Sequence, residues 1–189
     1  YLFLPPQLQQ PSRQRDSLMT TLLGQALRDT ALFQLLDTVR KIFPYEESLA
    51  DKISAPLKRL QILFPGIQLP RFTAHVNGYP IQGDWNQVDQ VASYPGVISF
   101  GLHYFMGQDW PMYPAGIYGY QRRRLTPDLM DVALVNTIAE EFVSPVSPTA
   151  QVTLLDYVVR AGIKQVFLHQ LLPYTPDSVL LSYTASQMD

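Results

Sequence analysis

Between Phe72 and Gln121 this chain of 189 residues carries no lysine or arginine and only three acids, Asp84, Asp89 and Asp109. The same stretch holds 11 of the 22 aromatic residues and 7 of the 10 glycines. Unpaired charge is far more costly to bury than an aromatic ring, so a segment of this kind is built for desolvation. It needs other segments to cover it. With 47% hydrophobic and 16% charged residues, against roughly 25% charged in an average soluble domain, the chain is globular. At this length one domain, residues 1–189, buries on the order of 70% of its unfolded surface.

The remaining composition excludes several functions. A net charge of −2 and a pI near 5.9 give no electrostatic footprint for nucleic acid, which calls for a basic patch. The absence of cysteine removes disulfides, thiolate metal sites and a cysteine nucleophile. No apolar run reaches the roughly 18 to 20 residues that span a bilayer.

Periodicity divides the chain. Residues 1–15, with Pro5, Pro6 and Pro11, read as an extended arm because proline removes donors and restricts its predecessor. Residues 16–66 read as helical. Apolar positions recur from Leu18 to Leu27 and from Leu32 to Phe43, Pro44 ends that run, and a further helix passes through Ile53, Leu57 and Leu60 with a kink or split expected at Pro56. Residues 71–105 read as strands: Arg71–Val76 alternates, Asn77-Gly78 is a hairpin signal, and Val97–Tyr104 is a second, more buried strand. Residues 106–125, interrupted by Pro111, Pro114, Gly107, Gly116 and Gly119, read as an ordered aromatic loop. Residues 126–173 read as a helical hairpin broken at Ser144–Pro148; Thr126 is expected to cap its first helix through its hydroxyl, followed by Pro127 and Asp128.

Few residues carry a recognisable chemistry. His75, His103 and His169 lie far apart, and none belongs to an HxH, HxxH or HExxH pattern. His75 and His103 fall on the two expected strands and would supply half of a metal site, but no third ligand is in view, so neither a metal nor a cofactor is expected. Glu140 and Glu141 are adjacent on a helix, about 100° apart, and therefore form no close carboxylate pair. The run Arg122–Arg124 reads as a solvated turn or an anion contact. No nucleophile elbow, phosphate loop or dinucleotide fingerprint occurs. In the loop, Tyr104, Trp110, Tyr113, Tyr118 and Tyr120, with Arg122, offer stacking faces and polar tips to a ligand.

Several segments in order, Phe64-Pro-Gly-Ile-Gln-Leu-Pro70, Val97–Gly107, Tyr113–Tyr120 with Thr126-Pro127, Leu154–Pro173, Asp177 and Ser182–Gln187, resemble the gliding-motility lipoproteins of Bacteroidetes, the GldB-like family. The resemblance covers roughly residues 35 to 189. It implies an α+β fold of zincin-like arrangement: N-terminal helices, a small central sheet and two longer C-terminal helices. That family resembles zincin-type predicted zinc peptidases, which place HExxH on one helix and an acidic ligand on the next, beside a glycine. Here the positions matching the two histidines hold Glu140 and Ser144, the general-base position keeps Glu141, and the third-ligand position before Gly162 holds Ala161.

The resemblance therefore implies a degenerate peptidase site in a non-catalytic cell-envelope protein that supports surface motility or protein secretion through envelope protein partners. It also implies a periplasmic location by a lipid anchor carried in the precursor and not in this chain. Family members continue into further helices past the Ser182–Gln187 segment, so the chain is expected to be either a fragment or a shortened member, with apolar surface exposed where those helices would pack. Two alternatives stay open: a hydrolase with an altered site using Glu141, and a ligand-binding module using the 104–120 loop.

Overall fold

The fold is a computed structural model describing residues 16–17, 20–21, 24, 28–44, 46–76, 90–113, 116–143, 153–181, 183 and 187. The expected arm 1–15, the Asn77-Gly78 hairpin and Ser144 lie outside the described residues. The architecture is mixed α+β and mostly helical, with one small three-stranded sheet.

Two helices come first, α1 at Thr30–Ile42 and α2 at Glu46–Leu63. Asp29 starts α1 by accepting hydrogen bonds from the N–H groups of Ala31 and Leu32 at 2.9 and 3.2 Å, which satisfies two of the donors a helix start leaves over. Helix α2 continues through Pro56, so of the expected kink or split the split does not occur. Proline there removes one backbone bond, and Ile53, Leu57 and Leu60 on either side of it are buried.

The sheet comprises β1 (Arg71–His75), β2 (Val91–Tyr94) and β3 (Val97–Gly101), in the order β1-β3-β2. Strand β3 is central, parallel to β1 and antiparallel to β2. The β2–β3 hairpin turns on Pro95-Gly96, with Tyr94 opposite Val97. Gly96 has a φ of 74°, the left-handed value that the second central residue of a type II turn requires. Strand β3 ends at Gly101, three residues earlier than its apolar pattern suggests, and Leu102–Tyr104 forms a turn of 3-10 helix. The Tyr104 ring folds back so closely over Gly101 that a Cβ there would lie 2.6 Å from it. Burial is uneven: Ile98, Ser99 and Phe100 of β3 are buried, whereas Arg71 and Ala74 on the edge strand β1 are exposed.

After the loop come a short helix α3 at Gly119–Arg122, which the reading of 106–125 as loop omitted, and a 3-10 turn at Pro127–Leu129 that leads into α4 at Met130–Phe142. The Thr126 hydroxyl makes no capping bond. The turn closes through the backbone instead, Leu129 N–H donating to the Thr126 carbonyl at 3.1 Å. Helix α5 (Leu154–Leu171) and the short α6 (Asp177–Leu181) complete the described fold.

Helix α4 is the hub. It packs on α2, α5 and β2 and buries Met130, Leu134, Val135, Ile138 and Ala139 among Leu60, Phe100, Phe105, Leu168 and Leu171. Each of these side chains larger than alanine contributes about 1.5 to 3 kcal/mol by leaving water. Phe64, Phe142 and Phe167 close one end of the α2–α4–α5 layer, with ring centroids 5.1 Å apart for Phe142 to each of the others. Helix α5 contrasts with α4: of its side chains only Leu168 and Leu171 are buried, while Leu154, Leu155, Val158, Val159, Ile163 and Val166 are exposed.

Candidate functional site

Adjacent residues on α4 point to different neighbours. The Glu140 carboxylate pairs with the Lys164 ammonium on α5, and the Glu141 carboxylate accepts a hydrogen bond from the Ser93 hydroxyl on β2. The two acids thus diverge, one to the helix and one to the sheet, as their 100° separation dictates. Ala161 lies one turn before Lys164 and faces the α4–α5 cleft. Glu140 and Ala161 are accordingly brought to the same pair of helices, whereas Glu141 serves the other side of α4. Among the described residues no group of three histidine, acidic or cysteine side chains is arranged to hold a metal ion.

The two strand-borne histidines do come near each other. Their rings are edge-to-face with centroids 6.1 Å apart. His75 Nδ1 lies 2.8 Å from the Ser99 hydroxyl, and burial holds the His75 pKa below its ordinary value. His103 is wholly buried against Tyr104. His169 is remote from both, on the last turn of α5, 3.5 Å from the Asp177 carboxylate.

The aromatic loop separates into two classes. Tyr104 and Tyr113 are core residues, and Trp110 packs partly buried against them. The Tyr113 hydroxyl accepts from the Met106 N–H at 3.0 Å and lies 3.0 and 3.3 Å from the Tyr104 and Leu125 carbonyls, either of which accepts its proton. Burial pushes its phenol pKa up. Tyr104 and Tyr113 fasten the loop and offer no open stacking face, and Trp110 keeps part of its surface accessible. Tyr118 and Tyr120 are different: both are exposed, and their rings stack with centroids 5.8 Å apart and planes 10° from parallel. Arg122 sits beside them at the end of α3, partly buried.

A cleft of about 530 Å³ lies between α4, α5 and the α6 segment. Arg123, Arg124, Asn136, Lys164 and Gln165 line it together with Ala161. A neighbouring hollow of about 250 Å³ shares Arg124, Asn136 and Lys164 and extends towards Thr137 and Gln90. The Arg124 guanidinium donates to the Leu180 carbonyl at 3.1 Å, and its burial lowers its pKa. The Asn136 amide donates to the Val132 carbonyl at 2.8 Å. Asn136, Lys164 and Gln165 carried no signal in the sequence, since single polar residues on two separate helices acquire meaning only when the helices pack. Arg123 and Arg124 were visible as a basic run, and packing gives the run a direction.

No helix of the described residues is long and apolar enough to cross a membrane. No curated protein and no solved structure matches the chain. The family described as gliding motility protein GldB does match, over residues 2–189. With that match running through both helical layers, the sheet and the cleft, the chain belongs to the gliding motility protein GldB family.

Proposed function

We propose that this chain is a non-catalytic protein of the cell envelope that supports surface motility or protein-secretion machinery by contact with envelope partners, and that its α4–α5 groove is a degenerate zinc-peptidase site. The observation that carries the reading is the divergence of the acid pair. Glu140 is neutralised by Lys164, Glu141 is turned away to Ser93, and Ala161 presents a methyl group. This donor set does not suit zinc, which needs three protein ligands around one point and is repelled by a lysine among them. In this reading the chain faces the periplasm and is held by a lipid anchor, which the lipoprotein character of the family supports. Action by contact is supported by α5, whose outward face exposes Leu154 at 80% and Val166 at 62%. A helix apolar on both faces is one that a larger assembly covers.

The test is to incubate the purified protein with zinc, remove the excess, and measure bound metal and cleavage of a peptide panel. Absence of stoichiometric zinc and of chelator-sensitive cleavage is expected. One bound zinc per chain with cleavage that Glu141→Gln abolishes would establish the hydrolase alternative instead.

A further inference from the structure

We propose that the cleft between α4, α5 and α6 binds the C-terminal carboxylate of a peptide with an apolar last residue. The inference goes beyond the non-catalytic reading and does not rest on it. Charge supplies the first argument. Three cations, Arg123, Arg124 and Lys164, line one cleft, and none of its described lining residues is acidic, in a chain whose net charge is −2. Cations gathered between low-dielectric walls focus a positive potential that concentrates anions. Among the described residues no carboxylate pairs with Arg123 or Arg124. Arg124 is held in place by its bond to the Leu180 carbonyl, which leaves its planar fork pre-oriented. The one competing carboxylate, Glu140, reaches Lys164 from an exposed position with 67% of its side chain accessible. Such exposed pairs are weak, so an entering carboxylate replaces it readily.

The polar neighbours select among anions. Asn136 spends an amide proton on the Val132 carbonyl, leaving its carbonyl oxygen as an acceptor. An acceptor beside cations disfavours a phosphate group, which brings oxygens on every side, and favours a peptide terminus, which brings an amide N–H next to its carboxylate. Shape agrees. About 530 Å³ is the size of a small-ligand pocket, and Leu180, Leu181, Tyr120 and Ala161 provide the apolar wall that a terminal leucine-like side chain needs.

The experiment is calorimetric titration of the whole chain with an acetylated tetrapeptide ending in two leucines, as the free acid and as the C-terminal amide. The acid is expected to bind at least ~10-fold more tightly than the amide, the effect of one or two charge-assisted hydrogen bonds, and to weaken with added salt. Lys164→Met is expected to weaken the acid about tenfold and leave the amide unchanged. Glu140→Gln, which frees Lys164, is expected to tighten the acid severalfold, an effect that damage to the fold would not produce. Should Lys164→Met fail to fold, the exposed Arg123→Gln supplies the same loss. Equal affinity for acid and amide, no binding of either at millimolar concentration, or displacement of the peptide by an equal concentration of inorganic phosphate would overturn the proposal. None of these outcomes bears on zinc or cleavage, so the two readings fail separately.

Discussion

Tyr113 shows how a residue with a functional appearance in sequence becomes a fastening in the fold. Its hydroxyl stands between the Met106 N–H and the carbonyls of Tyr104 and Leu125, with no solvent to replace it. Tyr113→Phe therefore leaves a buried N–H without an acceptor, and is expected to lower unfolding free energy by about 1 to 3 kcal/mol in urea titrations. An unchanged midpoint would contradict the fastening role. His75 makes a pH-dependent contribution of definite sign. Because burial lowers its pKa, the folded chain favours the neutral ring and the unfolded chain binds the proton more readily. That preference contributes stability above the ordinary histidine value near 6.5 and is lost as pH falls through the lowered folded-state value. The thermal midpoint is expected to fall on acidification from neutral pH, and to fall less steeply in His75→Asn. Parallel curves for the two proteins would exclude the assignment. At this scale the sequence could display aromatic rings but not their surroundings. Tyr104, Trp110 and Tyr113 looked identical in kind to Tyr118 and Tyr120, and only packing separates fasteners from exposed faces.

The elements were legible where periodicity or turn chemistry is local. The helical stripes from Leu32 to Phe43 and through Ile53, Leu57 and Leu60, the break at Pro44 and the buried strand at Val97 follow from patterns a few residues long; most of the stripe expected from Leu18 to Leu27 lies outside the described residues. Strand β2 escaped because Val91–Tyr94 has only four residues, too few for alternation to register, and the parallel pairing of β1 with β3 is a tertiary fact without a local sign. The 3-10 turn after β3 depends on Tyr104 finding space over Gly101, a contact that no strand propensity contains. The β2–β3 turn can be tested as an element. Gly96 adopts a φ of 74°, where a β-branched side chain is strained, so Gly96→Val is expected to cost about 1 to 2 kcal/mol. The urea midpoint should fall with an unchanged m-value. A variant as stable as the parent would mean that the turn does not set the hairpin.

For the whole molecule, the described parts of the charge-poor stretch comprise the three strands, of which β2 packs on α4, and a loop pinned by buried tyrosine. The cations excluded from that stretch reappear at its border and on α5, gathered around one cleft. Family membership and the α+β class were readable because ordered segments along most of the chain carry them. The cleft was not, because its residues come from α4, α5 and the segments beside α3 and α6, and helix packing alone makes them neighbours. The proposed function has the protein work by contact and not by catalysis through Glu141. Its most direct test is colony spreading of gliding cells in which Glu141→Gln replaces the parental protein at equal abundance. The substitution keeps a side-chain oxygen to which the Ser93 hydroxyl can donate, so stability should barely change, and spreading is predicted to continue at the parental rate. Abolished spreading with a folded, normally abundant Glu141→Gln protein would contradict the account.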